Sequence, residues 1–162
     1  MTGNFNKNLM RPIRNSAKAL IIQAGRILLI KLHDNVGDWY GLPGGGQQTG
    51  ETLPETLQRE CREEIGVEVQ VGSLQYIREY ISWHHEFANA EEDVHQIEFM
   101  FNCSISQNEN PSLGPNPDTR QTAVVWMSLE ALPGHRLYPQ ALTPFLVDSK
   151  TAPGPIYLGD VN

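Results

Sequence analysis

A mixed α/β domain is what the sequence predicts, on three observations. Apolar runs of strand length flank one strong helical stripe, a shorter helical pattern recurs near the end, and the connections are short enough for antiparallel pairs. A doubly wound parallel sheet needs longer crossovers and is not expected. The 162 residues suffice for one domain with its own core, and 40% apolar with 19% charged residues is ordinary for a globular chain. Nineteen acidic against twelve basic residues leave a formal charge of −7. That excess argues against a nucleic-acid polymer as partner. It leaves room for a nucleotide whose charge a divalent cation offsets.

Residues 1–15 read as a polar, flexible arm, residues 16–150 as the domain, and residues 151–162 as a tail that packs on the domain or on a partner subunit. Within the domain, residues 16–23 and 26–32 are apolar runs broken by Ala24-Gly25, which signals a β-hairpin. Residues 33–38 form a polar connection and 39–42 a short strand. Five glycines and a proline make residues 41–50 a loop. A helix over 51–65 follows, because Leu53, Leu57, Cys61 and Ile65 recur at spacing four. Pro54 sits in its first turn, where a missing N–H costs little, and Gly66 stands ready as the C-terminal cap. Residues 67–71, 74–82 and 96–105 read as strands, with a polar, aromatic and acidic connection over 82–94. Three prolines and three asparagines make 107–119 a surface loop. Residues 122–128 are another strand, 129–134 a turn, and 138–147 a short amphipathic helix.

Cys61 and Cys103 are too few for a disulfide framework and lack metal-site spacing; both are expected buried and inert. No run approaches the roughly 20 apolar residues of a membrane helix. The polar first sixteen residues carry no secretory pattern, so a cytoplasmic location without a membrane partner is expected.

The chemistry concentrates in residues 44–67, GGGQQTGETLPETLQRECREEIGV. Residues three and four apart share a helix face, so Glu60, Glu63 and Glu64 project to one side, away from the apolar stripe. Such a charge run alone is usually a solvated face. Three carboxylates this close repel one another unless they take up protons or a cation, and an oxygen-only set suits Mg²⁺ or Mn²⁺. The glycine run just before the helix lets backbone approach a metal or a phosphate closely. Arg59 is placed to pair with Glu51 or Glu63 and to hold the acids in position.

The stretch resembles the Nudix box, G-x5-E-x7-R-E-U-x-E-E-x-G-U with U a bulky apolar residue. Gly45, Glu51, Arg59, Glu60, Glu63, Glu64 and Gly66 match its fixed positions, Val67 its final U, and Cys61 is a small occupant of the first U. The resemblance implies an α/β/α sandwich with a mixed sheet and hydrolysis of a nucleoside di- or triphosphate or of a nucleoside diphosphate linked to another moiety. It also implies Mg²⁺ or Mn²⁺ held by Glu60, Glu63, Glu64 and the Gly44 carbonyl, with Glu51 and Arg59 as a supporting ion pair. Glu63 or Glu60 is the first choice of general base. Glu91, Glu92, Asp93, Glu109 and Asp118 are later-loop carboxylates of the kind some relatives use. Residues 81–85 lack the proline of ADP-ribose hydrolases and the tyrosine of dinucleoside polyphosphate hydrolases, so ADP-ribose or another nucleotide sugar is the nearest competing substrate, and a non-catalytic nucleotide sensor the competing class.

For the substrate, Gly44, Gly45, Trp83 and Arg78 are the candidate contacts. Trp83 sits in a polar connection with His84, His85 and Phe87, where stacking on a base or on a partner suits it. Lys31 and Arg120 are further cations that could reach phosphate. Trp39 and Trp126 are expected in the core. A homodimer is expected through Ile156-Tyr157-Leu158 unless that segment tucks onto its own domain.

Overall fold

The computed structural model describes residues 12–85, 94–148 and 154–162. Strand β1 (Arg14–Gln23) organises the fold by taking different partners along its length. Its last residues turn back on β2 (Arg26–Asp34), with Ile22 opposite Ile27 and Gln23 opposite Arg26. Ala24 and Gly25 both have positive φ (48° and 72°), the twist that suits a two-residue hairpin. Its earlier residues run parallel to β6 (His95–Ser104), from Arg14 opposite Gln96 to Ile21 opposite Cys103. On the other side of β1, residues 16–18 pair antiparallel with β4 (Gly44–Gly46).

The remaining strands extend both ends. β2 pairs with β3 (Gly37–Gly41) and β7 (Gln121–Ser128), β6 with β5 (Gln70–Ile81), and β5 in parallel with β9 (Tyr157–Asp160). A two-residue β8 (Leu137–Tyr138) flanks β3. The result is a mixed, curled sheet with the expected layered architecture. Among the described residues no helix is long and apolar enough to cross a membrane.

Alternation on the strands divides the core. Ala17, Ala19 and Ile21 of β1 and Leu28, Ile30 and Leu32 of β2 face helix α1 (Leu53–Ile65), which meets them with Leu57, Cys61 and Ile65. Leu57 and Ile65 are fully buried and each contribute roughly 1.5–3 kcal/mol. The opposite pleat, with Leu20, Ile27 and Leu29, packs on Met100 and on Leu132, Leu142 and Leu146 of the later segments. Thr52 and Glu55 form a reciprocal capping box at the start of α1, and Gly66 ends it in the left-handed conformation (φ 69°).

Four expectations change. The glycine run is partly strand: β4 has no side-chain pattern to announce it, and its extended form comes from pairing with β1. The separate strands at 67–71 and 74–82 are one strand, β5, with register shifts around Leu74; Val67 and Val69 precede it and fill the core. The helix expected over 138–147 is a short strand, a 3-10 turn at Gln140–Leu142 and one turn of α2 (Thr143–Val147). Arg14 and Asn15, placed in the arm, open β1. The rest of the arm up to residue 11 and the tail residues 151–153 lie outside the described residues. From Tyr157 the tail adds β9 to its own domain, with Leu158 against the core, while Ile156 and Tyr157 stay exposed.

Candidate active site

The acidic helix and the glycine strand are held face to face. Gly44 (φ 125°) lies so close to β1 that a Cβ would fall 2.1 Å from the Ala17 carbonyl oxygen. A Cβ on Gly45 would fall 2.6 Å from the Glu60 carboxylate. Only glycine permits this approach. Arg59 ties the group together. Its Nε and Nη2 donate to the two oxygens of Glu51 (2.6 and 3.0 Å), Nη1 to Glu60 (2.6 Å), and Nη2 also to the Gly46 carbonyl (3.1 Å). Glu63 is held more loosely, 3.6 Å from Arg59. Of the two partners foreseen for Arg59, Glu51 is the tight one. The guanidinium, with help from the Gln48 N–H and the Thr56 hydroxyl, pulls Glu51 down to about 2 against its partial burial.

Glu64 departs from the outward face expected for it. Only 6% exposed, it accepts from the Gly44 N–H (2.8 Å). Burial pushes it up to about 7, against the opposing pull of Lys18 and of that N–H. The stripe at spacing four gave no warning, because the β4 backbone covers the flank of the helix next to it. The backbone carbonyls of residues 63–65 accept from Asn116, Gly114 and Ser112, and the Gln121 amide donates to the Glu64 carbonyl (2.9 Å). This loop caps the helix end and brings Asp118 to the cavity beside it.

A cavity of about 760 Å³ is lined by Glu64 and Lys18 and also by Arg78, Tyr80, Gln96 and Glu98. Arg78 and Glu98 form a buried ion pair through Arg78 Nε. Burial pushes Glu98 up, but Arg78 and Lys18 outweigh it and leave its pKa below the ordinary value. Glu98 also accepts from the Gln96 amide (2.8 Å), while Arg78 Nη1 donates to the Val161 carbonyl (2.7 Å). The C-terminal strand thus braces this wall, and its Asp160 accepts from His84 and His85 (2.7 Å each).

Of the sequence-predicted residues, Glu51, Arg59, Glu60, Gly44 and Gly45 gather around the start of the acid helix with Glu63 close by, and of the box acids Glu64 lines the cavity, as does Arg78. Trp83 does not line it; it is 51% exposed on a 3-10 turn, edge-on to His84. Trp39 lines the cavity while packing against the core, and Trp126 packs in the core. Arg120 reaches the cavity, whereas Lys31 pairs with Asp38 (2.6 Å). Cys61 is buried as expected, but Cys103 is half-buried. Among the later carboxylates Asp118 lines the cavity, Glu109 does not, and Glu91, Glu92 and Asp93 lie outside the described residues. Lys18, Gln96 and Glu98 were passed over. Their one sequence signal is a polar or charged residue within an otherwise apolar strand.

No three acid, His or Cys side chains close on a single point among the described residues, since each box carboxylate has its own donor. The donor chemistry nonetheless fits a hard divalent cation. It is made of oxygens only, it includes a buried carboxylate that burial keeps from ionising freely, and it surrounds a glycine cradle that a Cβ would fill.

Comparison with known proteins bears on the family and the fold. The NUDIX domain model matches residues 12–146. A nucleoside triphosphatase NudI from Enterobacter sp. (strain 638) is 30% identical over 118 residues, 70% of this chain and 80% of its own length. A MutT NUDIX hydrolase from Burkholderia pseudomallei superposes with a TM-score of 0.65 at 25% identity, covering 87% of this chain and 100% of its own. A NUDIX hydrolase from Nitrosomonas europaea reaches 0.70 at 16% identity over 94% of this chain and 80% of its own, a likeness of fold.

Proposed function

The chain belongs to the Nudix hydrolase family, and from that premise we propose that it cleaves a phosphoanhydride bond in a nucleoside di- or triphosphate. Glu60, Glu63, Glu64 and the Gly44 carbonyl would hold Mg²⁺ or Mn²⁺. The observation that carries this reading is the buried Glu64 at the glycine strand, on the same helix turns as Glu60 and Glu63 and open to a cavity of nucleotide size. When bound, such a cation would supply charge to offset the phosphate oxygens and would make a water easier to deprotonate.

The chain's own groups do the rest. Arg59 and Glu51 lock Glu60 against Gly45, which keeps the acids in place as charge redistributes. Glu63 has the loosest hold of the three, so its carboxylate can turn and take the proton of the attacking water. The water oxygen bonds to phosphorus, and the bridging P–O bond breaks with its electron pair on the departing phosphate. Trp39 offers the nucleoside a ring to stack on, and Gln96 hydrogen-bonding groups to meet. The relative named a nucleoside triphosphatase favours triphosphates over nucleotide sugars.

Phosphate and pyrophosphate release from nucleoside di- and triphosphates and ADP-ribose, measured with Mg²⁺ for the native chain and Glu63→Gln, tests the reading. Native turnover with a loss of roughly 10²–10⁴ in the variant is expected. Nucleotide binding without turnover in both proteins would make the domain a sensor instead.

A further inference from the structure

Lys18 is the one charged residue in the apolar run from Ala17 to Ile22. Its neighbours Ala17 and Ala19 turn toward α1, and Lys18 lies on the other pleat of β1, in register with Gly44. Gly44 is gripped at both ends of its backbone. Its N–H donates to the Glu64 carboxylate, and its carbonyl accepts from the Lys18 ammonium. The fit is forced by the close approach of β4 to β1, since a Cβ on Gly44 would also lie 3.0 Å from the Lys18 Cα. Lys18 lines the cavity together with Glu64 and Glu98, and its charge favours the ionised form of both. A cation in this place neutralises buried carboxylates that otherwise bear the full cost of desolvation.

We propose that Lys18 is a resident counter-cation, seated on the Gly44 carbonyl beside Glu64, which a divalent ion must displace to reach its ligands. The displaced ammonium remains on the cavity floor, where the phosphate oxygens of a bound nucleotide are the anions it meets. This rests on the metal assignment proposed above and adds a consequence to it. Without nucleotide, Lys18 holds divalent-ion affinity low, so that the ion and the substrate load together. Lys18 acts through the metal ligands and is a positioning residue.

The experiment is Mn²⁺ binding in the absence of nucleotide, followed by the paramagnetic resonance signal of the free ion, for the native chain and for Lys18→Met, Lys18→Gln and Lys18→Arg. Circular dichroism reports folding, and Lys18→Gln keeps a donor for the Gly44 carbonyl should Lys18→Met fail to fold. The two neutral variants are expected to bind Mn²⁺ roughly tenfold tighter than the native chain, with Lys18→Arg restoring the native affinity. A purely structural lysine would not make affinity follow charge in this way. Neutral variants that bind no tighter than native, or an arginine variant that tightens as much as they do, overturn the proposal, as does a set in which no protein binds Mn²⁺. Nucleotide hydrolysis by the native chain, assayed alongside, separates the two ideas. Equal Mn²⁺ affinities with native turnover sink the counter-cation and leave the hydrolase standing. Tighter Mn²⁺ binding by the neutral variants, with no turnover of any nucleotide by the native chain, does the reverse.

Discussion

The Gly44–Glu64 segment and the Arg78–Glu98 wall of the cavity are built on opposite plans. In the first, Gly44 through Glu64 supply a glycine cradle, an arginine clamp and the acid cluster from 21 consecutive residues, so spacing along one helix and one short strand already sets their relations. In the second, Arg78 comes from β5, Gln96 and Glu98 from β6, and the brace on Arg78 from Val161, more than 80 residues on. The first group is set by local chain geometry, and the second is assembled across the sheet. The electrostatics differ too. Glu98 has its cation built in through Arg78, whereas Glu64 has a backbone N–H and a lysine that is already committed to a carbonyl.

The sharpest break of this comparison is Glu64→Gln. Glutamine can still accept from the Gly44 N–H, so the fold should survive while turnover falls roughly a thousandfold, the several kcal/mol that a metal site contributes. Retained turnover with unaltered Mg²⁺ dependence would remove Glu64 from the ligand set. In the wall, Arg78→Ala leaves Glu98 buried without its partner and should cost about 3–5 kcal/mol in denaturant unfolding. A loss below 1 kcal/mol would mean that Lys18 and Gln96 hold Glu98 unaided. Gly45→Ala drives a methyl into the Glu60 carboxylate, and the displaced acid should lower kcat by about a hundredfold with little change in melting temperature. Unchanged kcat would mean that Glu60 has freedom the Arg59 clamp denies it.

The smallest expected effect is on the pH dependence of stability in metal-free buffer. Glu64, raised to about 7 by burial, stabilises the fold most below its unfolded pKa of about 4.5, and that contribution is lost as pH rises through 7. Glu51, held near 2 by Arg59, does the opposite: its contribution is present above about 4.5 and disappears as pH falls toward 2. The melting temperature should therefore peak near pH 5, falling by roughly 5 °C toward pH 8, and Glu64→Gln should flatten the alkaline limb alone. An alkaline limb that persists in the variant would assign it to another group.

Legibility follows the same divide. The hairpin, α1, its Gly66 cap and the convergence of Glu51 with Arg59 were readable because each depends on residues within a few turns of one another. The burial of Glu64 was not legible because burial depends on what covers a face, and the covering strand has no side chains. The strand character of β4 was hidden for the same reason: a run of glycine has no periodicity. β8 and β9 are too short to nucleate alone and exist because β3 and β5 offer edges to pair with.

By itself, then, the amino-acid order determined the family, the acid helix and the arginine that clamps it, since side chains a few positions apart on a helix have their geometry set by its pitch. Only the tertiary structure decided that Lys18 meets the Gly44 carbonyl, that Arg78 is neutralised by Glu98, and that a strand near residue 160 braces the cavity. Those relations join residues 20 to more than 80 positions apart. Nothing in the local chain chooses such partners, and the packing of the whole sheet does.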